Sequence, residues 1–437
     1  MSRSSLCFAP TIRIRYPVGS EPSSSSSRLS VARNLTWLGV SSVLVKPLWL
    51  AFMVAAAPRW LGVEEYGVMQ SSLALAGLAL AFSDLGTTNY SLREATREGT
   101  EQQRLLANVL TVRGLTLLVS GGIGLAVSYW LDYPLGVVVA ALAYVAAQHI
   151  TTFGRVFFRA AENLRHEAVS TVLERLLVVG FGGLLLLWAG TASGTLAAMA
   201  MAMGLVAVAQ LVWIGRRHVP FRPDLLDSRY AWRTLRLALP LGAADVLLAV
   251  YFRTDQVMVE AMLGDAAAGL YGQAFRLLEA LSLIPTIVVQ GVLFARLSRL
   301  EAESRVDEFR RVMRNGSLAL AAVGIAVAAT LWFGAEPLIR LLTGGDEFAA
   351  SADALRVLVW TFPFTCLKDL LFVSFIARRL HRVPILVFGA SAVANVSFNA
   401  LAIPAFGIAG AAAVTVCTEV AIVVAYLVYS RTLRSRP

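Results

Sequence analysis

Long apolar segments separated by short loops fill the sequence from residue 34 onward, and they constrain the fold more than any other feature. A helix of about 20 apolar residues crosses the hydrocarbon core of a bilayer. The sequence therefore predicts an all-α polytopic membrane protein with about twelve transmembrane helices. These predicted helices are 34–57, 68–90, 105–130, 135–158, 168–189, 195–215, 237–263, 269–295, 312–334, 354–376, 383–403 and 407–430.

The composition agrees with a membrane protein. The chain has 437 residues, of which 57% are hydrophobic and 15% are charged, whereas soluble domains carry about 25% charged residues. The net charge of +10 would also suit a nucleic-acid-binding protein. The positive residues lie in short loops between apolar segments, however, so we expect no nucleic-acid partner. The 3 cysteines and 4 histidines are scattered along the chain, and this spacing predicts neither a metal site nor a cofactor.

The distribution of arginine predicts the orientation of the helices. Arginine-rich loops of membrane proteins stay on the cytoplasmic side. Every second loop here is rich in arginine, and the loops between them hold mainly acidic residues. The alternation predicts an even number of helices in the cell (inner or plasma) membrane, with both termini in the cytoplasm. The arginine-rich loops are 93–104, 155–165, 216–236, 296–314 and 378–382.

The longest basic loop divides the chain into two predicted lobes. Residues 1–30, rich in serine and arginine, are predicted to form a disordered tail. Residues 31–222 form the N-terminal six-helix lobe, and residues 223–437 form the C-terminal one. Similar turn sequences, LGVEEYG at 61–67 and LGDAAAGLYG at 263–272, follow the first helix of each lobe. Their matching positions indicate a duplication, and hence a parallel repeat with a path for substrate between the lobes.

Ionisable residues inside the apolar segments are the strongest functional signal. Each costs about 2.5–3.5 kcal/mol near the centre of a membrane helix, so it is retained only where it faces protein, water or a ligand. Arginine suits phosphate because its planar group donates two parallel hydrogen bonds. An internal salt bridge or snorkelling to the membrane surface is the alternative role of each cation. The predicted ligand-binding residues are Arg253, Lys46, Arg276, Arg113, Arg175 and Asn399.

A second set of residues is predicted to couple transport to an ion gradient or to gate the path. Asp255 and Glu260 lie inside the seventh apolar segment, and Asp245 lies nearer its start. Lys368 and Asp369 are adjacent in the tenth segment, where they either compensate each other or line the path. Coupling to an ion requires a carboxylate whose pKa burial has shifted.

Three short motifs occur in a fixed order along these segments. SDLG at 83–86 ends the second segment, YFRTDQVM at 251–258 lies in the seventh, and IPAFGIAGAA at 403–412 joins the last two. In this order the chain resembles the Wzx-type polysaccharide flippases of the multidrug/oligosaccharidyl-lipid/polysaccharide exporter (MOP) superfamily. The resemblance implies a MATE-like fold, with two six-helix lobes around a central cavity.

The resemblance also implies a function. The expected substrate is an oligosaccharide linked to polyprenyl or dolichyl (pyro)phosphate, moved from the cytoplasmic to the outer leaflet by alternating access. We therefore expect a transporter rather than an enzyme. Its expected partners are this substrate, membrane lipids, and polymerases or glycosyltransferases of a glycan locus.

Two alternative functions remain open. A cation-coupled multidrug exporter of the same fold would favour an acid-rich cavity, whereas this chain has several cations inside its apolar segments. A membrane glycosyltransferase or polymerase would carry a large catalytic loop outside the membrane. The longest predicted cytoplasmic loop has only about twenty residues, and the chain contains no Gly-x-x-x-x-Gly-Lys-Ser/Thr phosphate-binding loop.

The predicted topology is testable with fusion reporters. A reporter inserted after Arg222 is expected to give a cytoplasmic signal, because this loop is rich in arginine. The same reporter inserted after Asp132 provides the matched control and is expected to give an external signal. Paired alkaline phosphatase and fluorescent-protein fusions measure the location. An external signal after Arg222 would contradict the two-lobe arrangement.

Overall fold

The computed structural model describes residues 45–95, 99–161 and 164–434. Within these ranges the chain forms helices and connecting turns, and no strand occurs. The predicted disordered tail, residues 1–30, lies outside the described residues.

The helices fall into an N-terminal half (α1–α7) and a C-terminal half (α8–α14). The first helix, α1 (45–50), continues through a π-helical turn, Ala51–Ala56, into α2. The other helices of the N-terminal half are α2 (Ala57–Asp84), α3 (Thr87–Glu94), α4 (Thr100–Trp130), α5 (Leu135–Ala160), α6 (Leu164–Ala189) and α7 (Ala192–Arg217). The C-terminal half comprises α8 (Ser228–Leu263), α9 (Asp265–Val288), α10 (Phe294–Ala302), α11 (Val306–Thr343), α12 (Ser351–Leu358), α13 (Thr361–Ala377) and α14 (Arg382–Arg434).

Two glycines break the longest helices. Gly62 in α2 and Gly407 in α14 have φ angles of 74° and 61°, which glycine adopts without the steric strain of a side chain. At Gly407 the chain reverses, because Asn399 before it and Thr415 after it both bond to Asp255. The two arms of α14 therefore form a hairpin. Gly62 falls between the predicted segments 34–57 and 68–90, and Gly407 is the first residue of the predicted segment 407–430.

The number of apolar helices in the structure differs from the twelve that the sequence predicts. Eight helices in the described ranges are long and apolar enough to cross a bilayer. Counting the bent pair Ser228–Pro240 and Asp245–Leu263 as one span gives nine. These numbers treat Val45–Asp84 and Arg382–Arg431 as single helices although Gly62 and Gly407 break them. The count of twelve stays a prediction.

Apolar side chains cover the outside of the protein. Leu118, Trp188 and Leu401 are 75%, 83% and 72% exposed. Exposed apolar surface on this scale is unfavourable in water, and it matches the hydrocarbon of a bilayer, where every backbone polar group must be bonded within a helix or barrel. The helical fold and its apolar exterior therefore both indicate a membrane protein.

Polar side chains cap the starts of α7 and α8, the last helix of the N-terminal half and the first helix of the C-terminal half. The Thr191 side chain accepts a hydrogen bond from the Gly194 N–H at the start of α7. Asp227 accepts from the N–H groups of Arg229 and Tyr230 at the start of α8. Arg104 of α4 also binds Asp227 at 2.5 Å. The Tyr230 N–H, together with the Arg104 guanidinium, lowers the pKa of the Asp227 carboxyl.

The two halves touch where α2 lies along α8 and α9. At one end Gly67 packs against Gly269, where an added Cβ would lie 2.0 Å from the Val63 carbonyl oxygen. At the other end Gly86 packs against Gly242, where an added Cβ would lie 2.2 Å from the Leu85 carbonyl carbon. Real side chains do not tolerate such distances. The halves can therefore close at both ends only because these positions are glycine.

This contact predicts the effect of small substitutions. Gly269→Ala is expected to destabilise the protein by about 1–3 kcal/mol, because its Cβ would overlap the backbone of α2. Gly204→Ala on α7 provides the control, since no atom lies within 4 Å of its added Cβ. Alanine favours a helix over glycine, so the control is expected to be neutral or stabilising. Thermal unfolding in detergent measures both, and equal melting temperatures would contradict the close backbone contact.

Candidate functional site: a cavity between the two halves

A cavity of about 480 Å³ lies between the glycine contacts. Its walls come from α8, α9, α13 and α14 of the C-terminal half, and from α2 of the N-terminal half. Six of the predicted site residues line this cavity: Arg253, Arg276, Asp245, Asp255, Lys368 and Asp369.

Both arginines of the cavity extend toward α2. The Arg276 Nε donates to the Gln70 side-chain oxygen at 3.0 Å, and one of its terminal nitrogens bonds to Glu279 at 2.6 Å. A terminal nitrogen of Arg253 lies 3.5 Å from the Leu73 carbonyl oxygen. Among the described residues, no carboxylate forms an ion pair with Arg253. The contact between the halves therefore holds one cation, Arg253, whose hydrogen-bond acceptor among the described residues is a carbonyl oxygen at 3.5 Å.

The sequence of α2 makes room for this cation. Gly77 lies one helical turn beyond Leu73, and a Cβ there would be 2.5 Å from the Arg253 Cζ. The guanidinium therefore packs directly on the helix backbone. Arg276 and Arg253 reach α2 at Gln70 and Leu73, which lie about one helical turn apart. Two cations of the C-terminal half thus face α2 from neighbouring positions.

Lys368 has a partner within the C-terminal half. Its ammonium group lies 2.6 Å from a carboxylate oxygen of Glu419, and both side chains are 4% exposed. The Tyr251 hydroxyl donates to the same oxygen at 2.7 Å. The rings of Tyr251 and Phe252 each lie 5.7 Å from the ammonium group. This closed network compensates the Lys368 charge, as a buried ion pair requires.

Asp255 is held by neutral donors. It accepts hydrogen bonds from Asn399 at 2.8 Å, Thr415 at 2.9 Å and Tyr271 at 3.3 Å. Asn399 also donates to Asn395 at 3.1 Å. In the described part of the chain no cation pairs with Asp255. Asn399 is fully buried behind the cavity wall, so the structure places it on Asp255 rather than on the surface open to a ligand.

The remaining predicted cations lie outside this cavity. Arg113 forms a buried ion pair with Asp84 and donates to the His149 carbonyl at 3.0 Å, all within the N-terminal half. Arg175 stacks on Trp49, with its Cζ 4.7 Å from the ring centre. Lys46 lies on α1, away from the lining residues.

Two predicted carboxylates differ in their surroundings. Glu260 is 7% exposed and lies outside the cavity, and its Oε2 has no hydrogen-bond partner among the described residues. Asp245 is exposed at the edge of the cavity, where Asn89 of α3 donates to it at 3.2 Å. Asp245 therefore provides a further polar contact between the two halves.

The cavity is not uniformly cationic. Its lining has three basic side chains, Arg253, Arg276 and Lys368, and five acidic ones. The basic groups that reach across to α2 are the two arginines, whereas Asp255 and Glu419 are held within the C-terminal half. Sequence analysis assigned no role to Glu419, Gln70 or Glu279. The spacing of Thr415 and Glu419, four residues apart on one helix face, was the available signal. The acidic lining residues are Asp245, Asp255, Glu279, Asp369 and Glu419.

Comparison with known families identifies the chain. The sequence model described as polysaccharide biosynthesis protein matches residues 31–301. The chain belongs to this family. A second sequence model, described as lipid II flippase MurJ, matches residues 196–436. A search of curated proteins finds no match.

Solved structures place this family member within a known fold. Lipid II flippase MurJ in an inward closed conformation superimposes with a TM-score of 0.73 at 13% identity, covering 90% of this chain and 87% of that one. An inward-facing multidrug resistance MATE family transporter gives 0.65 at 16%, covering 92% and 100%. A MOP superfamily transporter from Pyrococcus furiosus gives 0.54 at 14%, covering 93% and 94%. The predicted fold class, an all-α membrane protein with the two-lobe fold of these MurJ and MATE transporters, is confirmed.

The Lys368 network predicts a stability difference. Lys368→Met is expected to destabilise the protein by about 3–5 kcal/mol, because it leaves Glu419 buried without its cation. The double variant Lys368→Met/Glu419→Gln removes both charges and is expected to recover most of this loss. Thermal unfolding in detergent measures both variants. A double variant no more stable than the single one would show that the two charges do not compensate each other.

Proposed function

We propose that this protein is a flippase for a lipid-linked oligosaccharide. The cargo carries its glycan on polyprenyl or dolichyl (pyro)phosphate, and it moves from the cytoplasmic to the outer leaflet by alternating access. The family match to polysaccharide biosynthesis proteins and the match to the MurJ lipid II flippase support this class of cargo. The observation that carries the proposal is the pair of arginines, Arg253 and Arg276, in the cavity between the halves.

The chemistry of the cargo explains why these arginines matter. A phosphate group is an anion, and burying an unpaired ion in hydrocarbon costs far more than burying a neutral polar group. Among the described residues, the Leu73 carbonyl at 3.5 Å is the only hydrogen-bond acceptor of Arg253, so a phosphate oxygen is a stronger partner for it. Arg276 lines the same cavity and contacts the same helix, α2. We propose that the two guanidinium groups bind the (pyro)phosphate together.

The small volume of the cavity indicates that the halves are closed around it. A volume of about 480 Å³ falls within the usual range for small-molecule pockets, and an oligosaccharide on its carrier requires more space. The cargo therefore enters only when the lobes, 31–222 and 223–437, separate at one end. In this proposal the contacts Gly67–Gly269 and Gly86–Gly242 open in turn, and the observed structure is the closed state between them.

We assign coupling or gating roles to the acidic side of the cavity. Asp255 is a buried carboxylate bound by neutral donors, so it is the candidate for binding a proton or ion. Lys368, Asp369 and Asp245 remain gating candidates, and Glu260 is the candidate outside the cavity. The proposal also places the protein in the cell (inner or plasma) membrane with cytoplasmic termini. It acts as a transporter without catalytic chemistry, beside glycosyltransferases or polymerases of the same glycan.

One observation favours a second function. Carboxylates outnumber basic groups in the cavity, five to three, and an acidic cavity suits a cationic drug. The second candidate is therefore a cation-coupled multidrug exporter of the same fold, which would bind its substrate on Asp245, Asp369 or Glu279 rather than on the arginines.

A reconstituted flipping assay tests the proposal. The purified protein is placed in liposomes with a fluorescent polyprenyl-pyrophosphate oligosaccharide, and dithionite quenches only the outer-leaflet label. Arg253→Gln is expected to reduce the flipping rate about tenfold or more, because a hydrogen bond to a charged group contributes about 1.5–3 kcal/mol. Arg253→Lys keeps the charge and is expected to retain part of the rate. Lys46→Ala, which removes the other cation predicted deep in its helix, is expected to reduce the rate as well.

The matched control is Arg305→Gln, which removes an exposed arginine paired with Glu303 and Glu308 outside the cavity. Its flipping rate is expected to equal that of the wild type. Wild-type rates in both Arg253→Gln and Lys46→Ala would show that the substrate path is assigned wrongly. Transport of a lipophilic cation without any flipping of the labelled lipid would instead establish the exporter.

A further inference from the structure

A second cavity of about 520 Å³ lies at one end of the C-terminal half. It is formed by the first turns of α11 and the last turns of α13 and α14, and it shares no lining residue with the cavity between the halves. We call it the basic pocket. Four arginines and one acidic residue are its charged lining residues: Arg310, Arg311, Arg314, Arg378 and Asp307.

The charges of the basic pocket are unevenly compensated. Arg310 is 4.0 Å from Asp307, whose side chain is 95% exposed, and such surface pairs contribute little. Arg378 stacks on Phe309 at 4.4 Å and pairs with Glu301 at 3.8 Å. Among the described residues, Arg311 and Arg314 form no ion pair. The pocket also lies at the N-terminus of the 38-residue helix α11, where the helix dipole adds positive potential. An anion is therefore the favoured ligand.

Part of the lining of the basic pocket is apolar. Met313 of α11 and Leu371 of α13 line it beside Ser374 and Ser430, together with Leu427 of α14, which is 44% exposed. Near Leu427, Val424 and Val428 of the same helix are 52% and 56% exposed, so the apolar surface continues out of the pocket along α14. A ligand with only a phosphate would leave this apolar lining uncovered. A ligand with a phosphate and a hydrocarbon chain would cover both surfaces.

We infer that the basic pocket binds an anionic phospholipid, with its phosphate on Arg311 and Arg314 and an acyl chain along Leu427. Basic pockets between membrane helices on the cytoplasmic side are typical sites for anionic headgroups. Residues 296–314 and 378–382 are arginine-rich loops, which the positive-inside pattern assigns to that side. The site is separate from the cargo path, so the inference does not depend on the proposed function.

Native mass spectrometry of the full-length protein tests this site. Purified protein is titrated with tetraoleoyl cardiolipin, which carries two phosphates, or with the zwitterionic dioleoylphosphatidylcholine. The wild type is expected to retain cardiolipin at least tenfold more tightly. Arg311→Gln/Arg314→Gln is expected to weaken cardiolipin binding about tenfold, whereas Arg311→Lys/Arg314→Lys keeps the charge and most of the binding. Leu427→Gln is expected to weaken binding severalfold, because it interrupts the apolar lining.

The matched control is Arg216→Gln/Arg217→Gln, which removes two exposed arginines from the predicted cytoplasmic end of α7. Its cardiolipin binding is expected to equal that of the wild type. If both glutamine double variants lost cardiolipin binding equally, the loss would reflect net charge alone and would contradict a specific site. Displacement of cardiolipin by inorganic phosphate at about 10 mM would show that the acyl chain contributes nothing, and would overturn the lipid assignment.

Discussion

A positive charge held at the contact between two helical halves is the constraint on which this structure depends. Arg253 packs on the backbone of α2 at Gly77, and its acceptor there is a carbonyl at 3.5 Å. Desolvating a cation without an anionic partner is unfavourable. Close backbone packing at Gly67–Gly269 and Gly86–Gly242 stabilises the closed arrangement on either side of this charge. Backbone packing thus favours the closed arrangement, and the unpaired charge of Arg253 disfavours it. An anion in the cavity would remove this electrostatic cost.

The partners of each buried cation separate structural from functional roles. Arg113 finds Asp84 within the N-terminal half, and Lys368 finds Glu419 within the C-terminal half. These charges are satisfied whether or not the halves separate. Arg253 and Arg276 instead contact α2 across the boundary. In the proposed transport cycle α2 moves away from both, so these contacts would be lost and their charge would become available to a ligand.

The sequence was sufficient for the helices and insufficient for their partners. Hydropathy predicted the apolar segments and placed boundaries at or near Gly62 and Gly407, because it is a local signal. Arg113 and Arg253 look alike in the sequence, since each lies inside an apolar segment. They differ only in what lies opposite: Asp84 on another helix for Arg113, and the bare surface of Gly77 for Arg253. The sequence of one segment is enough to predict how deep a charge lies in the membrane. Its counter-ion depends on which second helix packs against that segment, and hydropathy does not predict this.

Helix α8 connects the two sides of the cavity. Arg253 and Asp255 are two residues apart, about 200° around an ideal helix, so they point in nearly opposite directions. Arg253 reaches α2 of the other half, and Asp255 reaches the hairpin of α14. Toward its start, α8 bends by 61° between Ser228–Pro240 and Asp245–Leu263. In the proposed coupling role, a change in the charge of Asp255 would alter its bonds to α14 and hence the position of α8. Since Arg253 is carried on the same helix, this movement would change its contact with α2.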